Sequence, residues 1–173
     1  LTAEIKDAAL TALKRNFPND EVSGDVSQIG TKDIKDFDFL LAGFPCQAFS
    51  VAGKQRGFAD TRGTLFFEVE RILRDKQPYG FILENVEGLV THDKEKPEDD
   101  IGRTLATILQ SLDTMGYKVT WKVLDAQNFG LAQCRNRIYI VGTKKEKISL
   151  DNFPVTTATF ASVMEHGLAT IDN

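Results

Sequence analysis

The chain has 173 residues, 42% of them hydrophobic, enough apolar material for one core of ordinary size, so a single domain is the expectation. No apolar run approaches the roughly 20 residues of a membrane span, and the amino terminus lacks a charged-then-apolar leader, which points to a soluble, cytoplasmic protein. A net charge of −4 argues against this stretch carrying most of a nucleic-acid footprint, and two cysteines, far apart in sequence, exclude a disulfide framework or a thiolate zinc site.

From Thr2 to Asn16, helical spacing places Ile5, Ala8, Ala9, Ala12 and Leu13 on one side and Lys6, Lys14 and Arg15 on the other, predicting an amphipathic helix. Read by itself, Glu4 is a first-turn acid that favours the helix dipole. Gly24-Asp25 is a common turn pair. The run Phe39 to Ala42 has strand length, and Gly43 with Pro45 stops it, placing Cys46 at the carboxyl end of a strand. Ligands bind at such ends in open α/β sheets, so this thiol is a candidate nucleophile; a buried structural cysteine is the plainer reading.

The segment from Cys46 to about Gly63 is rich in Gly, Ser, Lys and Arg and has no clear period. Loops of that length tend to be functional lids or disordered. Lys54, Arg56 and Arg62 are its candidate phosphate contacts, whereas Phe49, Val51 and Phe58 count against a purely solvated loop. Leu65, Phe66, Val69, Ile72 and Leu73 then share one helical face, and Pro78 closes that element. Phe81 to Leu83 is the next buried strand, with Glu84-Asn85-Val86 at its carboxyl end. Two adjacent parallel strands would bring Cys46 and Glu84 to one crevice.

The charged run from His92 to Asp100 reads as an exposed insertion, with His92 in solvent. Ile101, Leu105, Ile108, Leu109, Leu112 and Met115 form another helix that Gly116 can end. Val119, Trp121 and Val123 alternate with polar residues as a strand does, and Trp121 is assigned to packing. After the turn at Asn128-Phe129-Gly130 comes Gln133-Cys134-Arg135-Asn136-Arg137, leading into a strand at Ile138 to Val141. Strand alternation would put Arg135 and Arg137 on one face, with Cys134 pointing the other way. Residues 144–147 read as solvated, and a short helix is suggested near Ala161 to Glu165.

Gly43-Phe44-Pro45-Cys46-Gln47, Gly53-Lys54-Gln55-Arg56-Gly57-Phe58, Thr61-Arg62-Gly63-Thr64-Leu65-Phe66-Phe67, Glu84-Asn85-Val86 and Gln133-Cys134-Arg135-Asn136-Arg137 occur in this order. Together they resemble the cytosine-C5 DNA methyltransferases, most closely the short prokaryotic enzymes of restriction-modification systems. The resemblance covers most of the chain from Glu4 to Gly142. It implies an α/β fold with a doubly wound, mostly parallel sheet of the S-adenosylmethionine-dependent methyltransferase, Rossmann-like type. Both ends would be incomplete: residues 1–173 would be part of a catalytic domain, without the family's glycine-rich first cofactor motif or its target-recognition domain.

The same resemblance implies a role for each site residue. Cys46 would be the nucleophile that adds to cytosine C6, Glu84 would act at ring N3, and Arg137 would hold the O2 carbonyl. Arg135 would serve the DNA backbone or the same carbonyl. S-adenosylmethionine would be the cofactor, with Glu4 on its ribose hydroxyls, Asp25 on its adenine amino group, and Pro45 and Leu65 completing the contacts. Ile5 stands where the family usually has an aromatic residue against adenine. Gly53, Gly57 and Gly63 would be the hinges of a loop that closes over DNA. Double-stranded DNA would be the partner, with a cognate restriction endonuclease acting on the same site, and neither a metal nor a membrane is implied. Three alternatives stay open: a tRNA methyltransferase of the same family, a noncatalytic or split subunit that binds nucleic acid, and a nucleotide-dependent thiol enzyme on a similar sheet.

Overall fold

A computed structural model describes residues 1–45, 65–153 and 156. Cys46, the loop to residue 64 and the suggested helix at 161–165 lie outside the described residues. The described elements are β1 (Thr2–Ala3), α1 (Asp7–Asn16), β2 (Val22–Ser23), β3 (Phe39–Gly43), α2 (Leu65–Lys76), β4 (Gly80–Val86), α3 (Arg103–Thr114), β5 (Lys118–Asp125) and β6 (Asn136–Thr143). The architecture is α/β of the Rossmann-like kind. β1 and β2 form a short parallel pair, and the larger sheet has the order β3-β4-β6-β5. β3 and β4 run parallel, whereas β6 is antiparallel to both of its neighbours.

The parallel pairing needs a crossover, and α2 supplies it between β3 and β4. α2 and α3 pack on one face of the sheet. Phe66, Val69 and Leu73 from α2 and Leu105, Ile108 and Leu112 from α3 meet Phe81 and Leu83 of β4 and Ile138 and Ile140 of β6 in a single buried cluster. Strand alternation turns the intervening residues to the other face, where Leu41 is 72% exposed and Ile82 is 40% exposed. Glu84 and Arg137 lie on that more open face.

Several elements begin elsewhere than periodicity suggests. The predicted helix from Thr2 starts only at Asp7, because Thr2 and Ala3 pair with Val22 and Ser23 as β1. Glu4 is therefore a strand-end residue, and Asp7 is the first-turn acid. α1 buries none of its apolar side chains. The charged insertion is also more than a solvated loop. Asp93, at φ +52°, accepts hydrogen bonds from the Thr104 amide and hydroxyl and so satisfies the start of α3, while Gly102 passes directly over the His92 carbonyl. At the other end of α3, Gly116 takes φ +83° and releases the chain into β5, as its composition predicts. Among the described residues no helix is long and apolar enough to cross a membrane.

Gly142 on β6 allows the far end of the Phe81 ring to approach the backbone closely. A Cβ at this position would stand 2.5 Å from Phe81 Cε1 and nearer still to Cζ. Gly142→Ala is expected to destabilise the fold by about 1–3 kcal/mol through overpacking. The check is a lower urea midpoint with an unchanged denaturant slope.

Candidate active site

The register of the parallel pair sets Gly43 beside Glu84 at the carboxyl ends of β3 and β4. Across the antiparallel seam Glu84 faces Tyr139 and Val86 faces Arg137, so Glu84 and Arg137 are diagonal neighbours on one face. Arg137 Nε lies 2.9 Å from Glu84 Oε1, and Arg137 Nη1 donates to the Asn136 carbonyl at 2.7 Å. These two contacts aim the guanidinium along the strand ends. The second carboxylate oxygen, Oε2, lies over Gly43, 3.3 Å from where a Cβ would be. A side chain at residue 43 would press on it.

One residue on, Asn85 points to the opposite, core side and is only 2% exposed. Its Nδ2 donates to the Phe44 carbonyl at 2.8 Å, while its Oδ1 accepts from the Val86 amide. The Phe44 ring packs against Phe66 with centroids 5.6 Å apart. Phe44 is thus held by both its carbonyl and its ring, and Pro45, exposed, leaves the sheet from that fixed point. Phe44 at the end of β3 therefore touches Phe66 at the start of α2 within one buried cluster.

Arg135 stands just before β6, not in it, so alternation within the strand does not pair it with Arg137. Its amide instead donates to Asp125 Oδ1 at 2.9 Å, and its carbonyl accepts from Ala126. The Gln127 amide reaches the same Asp125 oxygen, and the Cys134 thiol lies 3.8 Å from Oδ2. Hydrogen bonds from the Arg135 and Gln127 amides, in that order of effect, hold the Asp125 carboxyl below its ordinary value. Asp125 therefore fixes the backbone that presents Arg135, and Asn136, whose Nδ2 donates to Glu87 Oε2 at 3.0 Å, ties the start of β6 to the segment after β4.

A cavity of about 840 Å³ opens between the end of β1, the turn after β2, β3 and α2. Its lining includes Glu4, Asp25 and Leu65 and extends to Gly43 and Phe44, the residues beside Glu84 and before Pro45. Pro45 itself is not part of the wall. Glu4 Oε1 accepts from the amides of Ile5 and Lys6, both at 2.8 Å, which orients the carboxylate and leaves Oε2 for another donor. Asp25 caps a 3-10 turn at Val26–Gln28, and hydrogen bonds from Ser27 hold its carboxyl below the ordinary value. The volume falls within the range of small-molecule and cofactor sites, and two oriented carboxylates on a mainly apolar wall suit a polar, nucleoside-bearing ligand.

Glu84 and Arg137 are therefore brought into contact, and Glu4, Asp25 and Leu65 share one cavity. Arg135 has no contact with Glu84, and Cys46 lies outside the described residues. Two residues that hold the backbone at these junctions were not singled out from the sequence: Asn85 and Asp125. Asn85 sits inside a quoted block next to the acidic residue, and a polar side chain at a core position of a buried strand was the available signal. Asp125 offered a local signal as the cap of the turn at Ala126–Asn128, but its bond to the Arg135 amide ten residues on leaves no mark in the sequence. Among the described residues no group of three or more His, Cys, Asp or Glu side chains is placed to hold a metal ion.

Comparison with known proteins gives a family match and two kinds of relative. The profile for C-5 cytosine-specific DNA methylase matches residues 1–170. The type II methyltransferase M.NlaIV of Neisseria lactamica is 57% identical over 98% of this chain, and M.NgoBV of Neisseria gonorrhoeae is 56% identical over the same share. This chain spans 40% of the length of each. Among solved structures, the S. pombe Dnmt2 methyltransferase superposes with a TM-score of 0.70 at 20% identity, covering 93% of this chain and 49% of that one. At that identity the likeness concerns the fold alone.

Asn85→Leu would remove the Asn85 donor from the buried Phe44 carbonyl, and a loss of about 1–3 kcal/mol is expected from chemical denaturation. Asp125 gives a pH-dependent expectation. Its folded pKa lies below the unfolded value, so its contribution is complete above the ordinary 3.8 and is lost as pH falls through the lowered folded value. The stability difference between wild type and Asp125→Asn should accordingly be constant near neutrality and shrink below about pH 4, as measured by denaturation across pH.

Proposed function

Because the chain belongs to the C-5 cytosine-specific DNA methylase family, we propose that the protein carrying it transfers a methyl group from S-adenosylmethionine to C5 of cytosine in double-stranded DNA. Residues 1–173 would be part of its catalytic domain, and the similarity to type II methyltransferases supports a role in modifying the site of a cognate restriction endonuclease. The observation that carries the reading is the Glu84–Arg137 pair, set beside the strand end that leads to Cys46, whose Gly43 and Phe44 also line a cofactor-sized cavity.

Cytosine C5 is too poor a nucleophile to attack a methyl donor directly. Addition of the Cys46 thiolate at C6 makes C5 electron-rich, and loss of the C5 proton with expulsion of sulfur completes the cycle after transfer. Negative charge builds on the N3–O2 side of the ring as sulfur adds. Glu84 acts there through N3, while Arg137 supplies a fixed cation for O2. The ion pair between them is preformed, so little reorganisation is required when the base arrives. Gly43 leaves room for the Glu84 oxygen that Arg137 does not take. Arg135, presented by the loop that Asp125 fixes, serves the DNA backbone.

The cofactor supplies an electrophilic methyl group on a sulfonium. Glu4 would accept from its ribose hydroxyls and Asp25 from its adenine amino group, and Leu65 would bound it on the α2 side of the cavity. A stacked cytosine cannot reach this crevice, so the base is flipped out of the duplex at a cost of a few kcal/mol.

The test is intact-protein mass spectrometry of the full-length protein with S-adenosylmethionine and duplex DNA carrying 5-fluorocytosine, with an RNA arm in parallel. Fluorine at C5 blocks the final elimination and traps the covalent species. A DNA adduct mapping to Cys46 is expected, and Cys46→Ser should abolish it while leaving DNA and cofactor affinity within a few-fold. An adduct with RNA only would reassign the substrate, and none with either would remove the enzyme reading.

A further inference from the structure

The turn that carries Asp25 is short and has little support of its own. It follows β2, only two residues long, and its internal bonds are those of one 3-10 turn: the Gln28 amide to the Asp25 carbonyl and the Ile29 amide to the Val26 carbonyl. Its external hold comes from α2. Arg71 Nη2 donates to the Val26 carbonyl at 3.2 Å and to the Ile29 carbonyl at 3.0 Å, so one guanidinium nitrogen grips both ends of the turn. Arg71 Nε donates to Glu68 Oε2 at 2.8 Å, and Nη2 lies 2.6 Å from the same oxygen.

These contacts differ from an ordinary helix-surface ion pair. An exposed i,i+3 pair contributes a few tenths of a kcal/mol to its helix. Here the arginine is about three-quarters shielded and reaches carbonyls 42 and 45 residues away. α2 is anchored in the core by Phe66, Val69, Ile72 and Leu73, so it offers a rigid base. Glu68, Val26 and Ile29 all line the cavity that Asp25 faces. A planar guanidinium can bond a carboxylate and two carbonyls at once, whereas a lysine ammonium on a flexible stem cannot keep that geometry.

We propose that Arg71, held by Glu68, is a positioning residue for the methyl donor: it clamps the Asp25 turn against α2 and so sets where the Asp25 carboxylate meets the ligand. The inference rests on the cofactor assignment above and extends it to a residue outside the ligand's own contacts. It also joins two parts of the site, because the helix that fixes the cofactor wall is the one into which the nucleophile loop returns at Leu65.

Isothermal titration of the full-length protein with S-adenosylmethionine tests this directly. Arg71→Lys keeps the charge but loses the fork, and Kd should rise about tenfold, the scale of one charge-assisted hydrogen bond. The KM for cofactor should rise with it, while duplex DNA affinity and the thermal midpoint stay near wild type. Glu68→Gln should shift cofactor affinity in the same direction by less. In an Asp25→Ala background Arg71→Lys should add little, because the two act through one contact. Additive effects, an unchanged Kd, or a parallel fall in stability and DNA affinity would each overturn the proposal. Failure of the wild-type protein to bind the cofactor would overturn the cofactor assignment and this proposal together; a wild type that binds and an Arg71→Lys that binds equally well would overturn this proposal alone.

Discussion

The parallel pairing of β3 with β4 is the constraint on which the rest depends. Its register sets Gly43 level with Glu84, and the antiparallel addition of β6 then brings Arg137 diagonally against that carboxylate. A shift of one residue in either pairing would turn Glu84 or Arg137 to the helix-covered face. The apolar residues prevent it: Phe81, Leu83, Ile138 and Ile140 must all face α2 and α3, and their burial locks the intervening Glu84, Arg137 and Tyr139 onto the more open side. The core thus sets the polar site by parity.

Polar clamps then convert that rigid sheet into placed loops. Each spans a junction at which regular structure ends. Asn85 holds the Phe44 carbonyl where β3 stops, Asp125 holds the Arg135 amide where β6 starts, and Arg71 holds the carbonyls of the turn after β2. The physical need is the same in each case. A chain leaving a strand has backbone groups without ladder partners, and a side chain from the adjacent element satisfies them. The same bonds restrict where the following residue can go, which is how a packing requirement becomes a catalytic or binding geometry.

One side chain in each clamp comes from an element that already has another task. β4 carries Glu84 and Asn85 in succession, one towards the open face and one into the core, so the acid and the clamp cannot move independently. α2 similarly joins the Phe44–Phe66 contact at its start to the Arg71 grip one and a half turns later. Changes at the cavity wall beside Asp25 and at the end of β3 are therefore mechanically linked through one short helix.

Much of this was legible in the residues themselves. Burial periodicity gave the helices beginning at Leu65 and near Ile101 and the strands at Phe39, Phe81, Val119 and Ile138, because apolar residues at fixed spacing leave one face that must be covered. The blocks around Cys46, Glu84 and Arg137 identified the family because their order and residue types are rarely coincident. What periodicity could not supply was pairing. Thr2–Ala3 read as the start of a helix until its partner Val22–Ser23 made it a strand, and Asp93 read as solvated charge until the start of α3 came within its reach. Arg71 drew no reading from the pattern, because its carbonyl acceptors lie more than forty residues earlier. The sequence by itself determined which residues are apolar, at what spacing, and which chemical groups stand next to each other along the chain. Only the tertiary structure decided which of those groups meet, because hydrogen-bond partners distant in sequence are selected by the packing of whole elements and leave no local pattern.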